Sequence, residues 1–361
     1  MASPGKFLGI VPIPGLVWSA IMLVVFAACV WPMMQVAFRI RTHAIKEFGL
    51  LIHEFDPWFN YRATQYLNKE GWHAFFHWFD RMSWYPLGRP VGTTIYPGLQ
   101  ITAVAVYRAL KWLGPAFKVS LNYVCCYTPC WGGATATALT GLLGWEATGS
   151  TACGIFASVI MSVIPAHLMR SIGGGFDNES IGMPAICLTF YLWIRALRHE
   201  SSWPIGILAG LAYGYMAAAW GGYIIVVNMV TLHAALLASL DFVRGRFSHG
   251  LHRAYSLFFL VGTPIAMCVP PVGQAPLRSL EQLSAVVLFV LLQAAYVAER
   301  KRVQRNLHPM QVKAWALRLS FCLGAVAVMA ALAYVLFPMG YFGPLSARVR
   351  GLLVKHTRTG N

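Results

Sequence analysis

Long apolar runs are the feature that most constrains what this chain can fold into. Of its 361 residues, 58% are apolar and 11% are charged, whereas about 25% of the residues in a soluble domain are charged. A run of about 18 or more apolar residues is long enough for a helix to cross a bilayer. The sequence therefore predicts an all-α polytopic membrane protein. The predicted transmembrane helices, about nine in number, are residues 16–36, 129–148, 151–168, 180–197, 203–219, 221–242, 254–272, 280–298 and 315–337.

The basic residues predict how these helices are oriented. The 28 Lys and Arg residues outnumber the 12 Asp and Glu residues and give a net charge of +16. They lie mostly between apolar runs, where topology and anionic lipid headgroups account for them, so the expected partner is the lipid bilayer and not nucleic acid. Basic clusters at 244–253 and 300–313 predict that the loops after the sixth and eighth spans are cytosolic, together with the N-terminus.

The segment between the first two spans, residues 37–128, is then predicted to be a long lumenal loop. Its apolar stretch Ile95–Leu113 carries two basic residues, and a charge at the bilayer centre costs about 2.5–3.5 kcal/mol. We therefore interpret this stretch as interfacial or re-entrant. The basic stretch 39–46 opposes the predicted orientation, whereas three later loops favour it.

Two close pairs of carboxylates stand out among the acidic residues: Glu54 with Asp56, and Asp177 with Glu179. Carboxylate oxygens are the ligands that Mg²⁺ and Mn²⁺ prefer, and such an ion can neutralise the diphosphate that leaves a lipid-linked sugar donor. Acidic residues near a helix N-terminus are also stabilised by about 0.3–1 kcal/mol. Pro57 at a first helical position would fit that structural interpretation for the first pair. The pattern alone leaves both interpretations open.

The residues around these pairs carry a family resemblance. The run HEFDPWFNYR at 53–62 resembles the first-loop motif of the catalytic subunit of eukaryotic oligosaccharyltransferase. WYPLGRPVG at 84–92, GFDNE at 175–179 and WGGY at 220–223 resemble further segments of the same family. The stretch 340–361 is most similar to its trypanosomatid members.

This resemblance implies the membrane domain of a GT-C type glycosyltransferase in the endoplasmic reticulum membrane, with a lumenal active site. Such an enzyme transfers oligosaccharide from dolichyl diphosphate to the Asn of Asn-X-Ser/Thr, with Mn²⁺ or Mg²⁺ as cofactor, and other oligosaccharyltransferase subunits are expected partners. By motif position, Asp56, Asp177 and Glu179 would bind the metal and Glu54 is an additional candidate ligand. Asp56 would also contact the acceptor amide, and Arg170 would meet the phosphate charge of the donor.

Two further motifs of the family do not occur in residues 1–361. They are a Ser-Val-Ser-Glu-like motif in a later lumenal loop, and the Trp-Trp-Asp-Tyr-Gly motif of a soluble C-terminal domain that reads the acceptor Ser or Thr. We therefore expect a transmembrane catalytic domain at 1–337, the start of a lumenal loop at 338–361, no C-terminal soluble domain, and little or no activity for the chain as given.

Two other functions remain open at this point. A lipid-linked mannosyltransferase of related architecture also places acidic residues in its first lumenal loop. A transporter or assembly subunit would not be an enzyme, and would place charges near the midplane of several spans.

Overall fold

The computed structural model describes residues 6–7, 11–12, 15–114 and 118–343. Within these residues the chain is helical apart from one antiparallel pair of two-residue strands, β1 (Lys6–Phe7) and β2 (Val11–Pro12). The helices are α1 (Gly15–Arg41), α2 (His43–Phe48), α3 (Phe55–Phe76), α4 (Val91–Thr94), α5 (Gly98–Trp112), α6 (Leu121–Thr148), α7 (Thr151–Val163), α8 (Pro165–Leu168), α9 (Glu179–Ala196), α10 (Ile205–Ala219), α11 (Tyr223–Val243), α12 (His249–Met267), α13 (Ala275–Arg278), α14 (Leu283–Gln304) and α15 (Val312–Leu336).

Each predicted span coincides with a helix or, at 151–168, with the helix pair α7 and α8. Among the described residues, four helical segments are long and apolar enough to cross a membrane: Val17–Phe48, α11, α14 and α15. The helices α7 and α10 are apolar but shorter. The all-helical membrane architecture is therefore confirmed, and the count of nine spans stays a prediction.

Several predicted helix boundaries are wrong, because local capping sets where a helix begins. Helix α6 begins at Leu121 instead of 129, since the Ser120 side chain accepts a hydrogen bond from the Tyr123 backbone N–H at 3.0 Å. Helix α12 begins at His249 instead of 254, and Ser248 caps it in the same way. The predicted 280–298 span is shifted towards the C-terminus as α14, and the predicted 151–168 span is interrupted after Val163.

The predicted lumenal loop 37–128 is also different from the expectation, because most of it is helical. Its apolar stretch Ile95–Leu113 forms α5, whose 15 residues are fewer than the roughly 20 needed to span a bilayer. Helix α5 buries Leu99 and Ala103, and it exposes Arg108 and Lys111. This two-sided pattern agrees with an interfacial position.

The chain divides into two compact units, residues 1–195 with 218–220, and residues 196–217 with 221–361. In the first unit α1, α6 and α7 pack together. Small residues allow close approach of α6 and α7: a Cβ added at Gly154 would lie 2.7 Å from the Gly141 carbonyl oxygen, and Ser158 donates to the Thr137 carbonyl at 3.1 Å. Close contacts between small residues are typical of membrane helix pairs.

In the second unit, a buried ion cluster joins the ends of three helices. Arg318 of α15 donates to the Gly245 carbonyl, just after α11, at 2.8 Å and pairs with Glu299 of α14 at 3.2 Å. Glu299 also pairs with Arg302 at 2.8 Å. The two predicted cytosolic loops therefore lie at the same end of this unit, as the charge bias requires. The last part of the predicted loop 338–361, from residue 344 onward, lies outside the described residues.

Candidate active site

The first acidic motif lies at the start of α3. Glu54 precedes the helix with φ of 65° and its side chain makes no capping hydrogen bond, and Asp56 is the second helical residue. Pro57 is therefore the third residue of the helix and not the first, as the sequence had predicted. Both carboxylates are exposed and remain accessible to a ligand.

The second acidic motif lies in the loop between α8 and α9, and backbone hydrogen bonds attach it to the first. The His53 N–H donates to the Gly174 carbonyl at 3.1 Å, and the Gly174 N–H donates to the Cys126 carbonyl at 3.0 Å. Gly174 has φ of 86°, and a Cβ there would collide with the Leu51 carbonyl and the His53 ring. Only glycine fits this junction without strain. The two motifs, distant in sequence, are thus joined directly.

This junction forms a cleft of about 250 Å³. Three of the predicted site residues line it: Glu54 from the first motif, Asp177 from the second, and Arg170 from the segment that leads into the second motif. His53 lies on the same wall. Two carboxylates and one guanidinium beside a single cleft provide ligands for a hard cation and a donor for phosphate oxygens.

Glu179, the first residue of α9, belongs to the same electrostatic group. Burial and the neighbouring carboxylate of Asp177 raise the pKa of Glu179, and the positive charge of Arg170 partly opposes this. Two carboxylates that repel each other at a half-buried position are the arrangement that a bound cation stabilises.

Asp56 lies instead beside Arg89, from the segment 84–92. Burial lowers the pKa of Arg89, and the charge of Asp56 opposes this shift. The guanidinium carbon of Arg89 is 4.4 Å from the centre of the Phe59 ring and 5.1 Å from that of Trp84. The Arg89 backbone is paired with Asp80 by two hydrogen bonds of 2.8 Å. The 53–62 and 84–92 segments, noted separately in the sequence, thus pack against each other.

The chemistry of the donor set fits Mn²⁺ or Mg²⁺, because its groups are carboxylates and two of them repel each other. Across the described ranges, however, no group of three or more His, Cys, Asp or Glu side chains is close enough to hold an ion. The structure therefore does not gather Asp56, Asp177 and Glu179 into one three-carboxylate site. Their joint role as ligands stays a prediction.

Sequence reasoning missed the polar residues that hold these motifs in place. Arg41 belongs to the basic stretch 39–46 that opposes the predicted orientation, and only 1% of it is exposed. Its Nε donates to Ser171 Oγ at 2.8 Å and its Nη1 to the Ser162 carbonyl at 3.1 Å. It therefore ties the end of α1 to the segment that leads into the second motif. The buried amides Asn60 and Gln100 were also missed. Asn60 lies inside the quoted motif, and Gln100 is a polar residue in an apolar stretch.

The described residues form a helical membrane domain with a cleft lined by carboxylates and a guanidinium. Residues 20–359 match the family model described as oligosaccharyl transferase STT3, N-terminal. The chain belongs to this family, which confirms the resemblance drawn from the motifs.

Curated relatives support the assignment across most of the chain. The dolichyl-diphosphooligosaccharide–protein glycosyltransferase subunit stt-3 of Caenorhabditis elegans is 36% identical over 342 residues, covering 92% of this chain and 42% of that protein. The STT3 subunit of Saccharomyces cerevisiae is 35% identical over 337 residues, covering 92% of this chain and 44% of that protein. The chain thus spans less than half the length of these relatives.

Solved structures share the fold. The archaeal oligosaccharyltransferase AglB of Archaeoglobus fulgidus, in complex with an inhibitory peptide and a dolichol-phosphate, superposes with a TM-score of 0.63 at 18% identity. The match covers 88% of this chain and 37% of AglB. The family model favours the oligosaccharyltransferase family over the mannosyltransferase and transporter interpretations.

Proposed function

We propose that this chain forms the membrane part of an oligosaccharyltransferase of the endoplasmic reticulum, and that its cleft receives the diphosphate of a dolichyl-linked oligosaccharide on the lumenal side. The observation that carries the proposal is that Glu54, Arg170 and Asp177 line one cleft. The diphosphate is anionic and lies where lipid meets water, so a cleft with cation ligands and a guanidinium, at the end of apolar helices, is complementary to it.

Each residue has a distinct role in this proposal. Asp177 and Glu179 hold the divalent cation together with Asp56 or Glu54, and Arg170 donates to phosphate oxygens. The cation, Mn²⁺ or Mg²⁺, would supply positive charge to the leaving diphosphate. Asp56, exposed at the start of α3, accepts hydrogen bonds from the side-chain amide of the acceptor Asn and so holds it for reaction.

Related structures support a lipid-linked donor and a peptide acceptor. One AglB structure contains a dolichol-phosphate, and another is tethered to an acceptor peptide with an NVT sequon. The acceptor for this chain is accordingly proposed to be a polypeptide with Asn-X-Ser/Thr, and its partners to include other oligosaccharyltransferase subunits.

Two measurements test the proposal. The first is Mn²⁺ binding to the purified chain, followed by electron paramagnetic resonance, in the wild type, in Asp177→Asn and in Glu70→Gln. Glu70 pairs with Lys69 at 3.1 Å and does not line the cleft. Binding should weaken in Asp177→Asn and stay unchanged in Glu70→Gln.

The second is a chimera in which this chain replaces the matching part of the yeast relative, assayed by glycosylation of a reporter glycoprotein. The chimera should glycosylate the reporter, Asp56→Asn and Asp177→Asn should each abolish transfer, and Arg170→Gln should raise the KM for the donor. Full transfer by the Asp177→Asn chimera would refute the proposed site.

A further inference from the structure

A chain of buried amides connects α5 to the carboxylate of Asp177. Gln100 in α5 donates from Nε2 to Asn60 Oδ1 at 3.0 Å. Asn60 in α3 then directs its Nδ2 towards Asp177 Oδ1 at 3.2 Å, the Phe176 carbonyl at 3.3 Å and Asn178 Oδ1 at 3.4 Å. Gln100 is fully buried and Asn60 is 4% exposed. These residues all belong to the first compact unit.

The direction of these hydrogen bonds fixes the orientation of the Asn60 side chain. An amide has one donor end and one acceptor end. Because Gln100 occupies the acceptor end of Asn60, the donor end must point at Asp177. If the Asn60 amide rotated by half a turn, its Oδ1 would face the carboxylate and repel it.

Two N–H donors hold the Oδ1 oxygen of Asp177. Asp177 Oδ1 accepts from Asn60 Nδ2 and, at 2.7 Å, from the Asn178 backbone N–H. The Asn178 side chain is itself anchored through Nδ2 to the Ala219 carbonyl at 2.6 Å. The network therefore fixes the position of Asp177 Oδ1.

Gln100 does not have the properties of a residue present for stability alone. Within the described part of the chain its Oε1 is buried without a hydrogen-bond partner, which costs free energy that an apolar side chain of similar length would avoid. Its contribution is the donor that it directs at Asn60.

We infer that Asn60 and Gln100 are positioning residues: Gln100 sets the orientation of the Asn60 amide, and Asn60 holds the Asp177 carboxylate in the geometry that binds a divalent cation. The identity of the ligand in this inference rests on the proposed function, whereas the hydrogen-bond network is independent of it. Groups that orient metal ligands typically contribute about 10–100-fold to metal affinity.

A double-mutant cycle on the purified chain tests the inference. The variants are Asn60→Leu, Gln100→Met and the double variant, with Thr64→Val as the matched control. Thr64 is buried one turn beyond Asn60, and its hydroxyl donates to the Asn60 backbone carbonyl at 2.8 Å. Hydrogen exchange of the 176–180 backbone and Mn²⁺ affinity are measured for each variant, together with resistance to thermal unfolding.

Asn60→Leu should speed exchange at 176–180 and weaken Mn²⁺ binding by about 10–100-fold. Gln100→Met should also speed exchange at 176–180 and weaken Mn²⁺ binding, each by a smaller factor, without lowering the unfolding temperature. The double variant should match Asn60→Leu, because Gln100 acts only through Asn60. Thr64→Val should leave exchange at 176–180 unchanged.

Additive effects of the two substitutions, or a Gln100→Met protein that exchanges like wild type at 176–180, would overturn the inference. If the wild-type chain binds no Mn²⁺, the metal part of the proposed function fails, whereas the exchange measurements still decide whether the amides hold Asp177.

Discussion

Replacing Gly174 with Ala tests whether the junction of the two acidic motifs is as tight as the structure indicates. Gly174 has φ of 86°, and an added Cβ would collide with the Leu51 carbonyl and the His53 ring. Gly71, inside α3, is a matched control, because its φ is 85° and an added Cβ would meet nothing within 4 Å. The two glycines share a positive φ, and only the substitution at Gly174 adds a collision.

The expected loss of unfolding free energy has two contributions, the backbone strain and the collision. A strained positive-φ conformation costs a residue with a Cβ about 1–3 kcal/mol, and this backbone strain is the whole cost expected for Gly71→Ala, where ψ is −178°. At Gly174 the collision must also separate the backbone from its neighbours. The two hydrogen bonds made there, from His53 at 3.1 Å and to Cys126 at 3.0 Å, contribute about 0.5–1.5 kcal/mol each. Gly174→Ala should therefore lower the free energy of unfolding by about 2–6 kcal/mol.

The assay is equilibrium unfolding of the purified protein in mixed detergent micelles, for wild type and both variants. Mn²⁺ binding serves as the local readout, because only the Gly174 substitution should displace Glu54 relative to Asp177. Equal destabilisation by the two substitutions would show that the junction is loose, and would refute the argument that the backbone hydrogen bonds hold the cleft together.

Three further predictions follow from other parts of the chain. Burial would raise the pKa of Asp80, but hydrogen bonds from Ser83 and the Met82 N–H, together with the charge of Arg62, outweigh burial and lower this pKa. The stability that the Asp80 carboxylate contributes should therefore be present at neutral pH and lost below about pH 4. The acid-induced loss of stability should be smaller in Asp80→Asn than in wild type. Cysteines introduced for Arg81 and Val303 in a cysteine-free background should react with an impermeant reagent from opposite sides of sealed microsomes, and labelling from one side only would contradict the predicted orientation. Removing the charge of Glu299 by Glu299→Gln should destabilise the protein by about 3–5 kcal/mol, because Arg318 is left buried without its carboxylate. Glu70→Gln, whose pair with Lys69 is exposed, is the control, and equal unfolding free energies for the two variants would count against a buried ion cluster.

The apolar runs alone determined the class of fold. Bilayer thickness fixes the length of a spanning helix and lipid excludes unpaired backbone groups, so long apolar runs have few structures open to them. For this reason the predicted segments coincide with helices, although their boundaries moved where Ser120 and Ser248 cap them. The run HEFDPWFNYR was specific enough to identify the family because it combines residue types that packing alone would not select.

The tertiary structure decided which of the singled-out residues meet. Nothing in the sequence indicated that the His53 N–H bonds the Gly174 carbonyl, and this contact between residues far apart in the chain is what places Glu54 with Arg170 and Asp177. Nor did the sequence separate Arg41 from its basic neighbours, since burial depends on what packs around a side chain and not on its type. The sequence likewise did not show that Asp56 lies beside Arg89, or that Gln100 directs Asn60 at Asp177. These hydrogen bonds and charge contacts are set by the packing of α3 and α5.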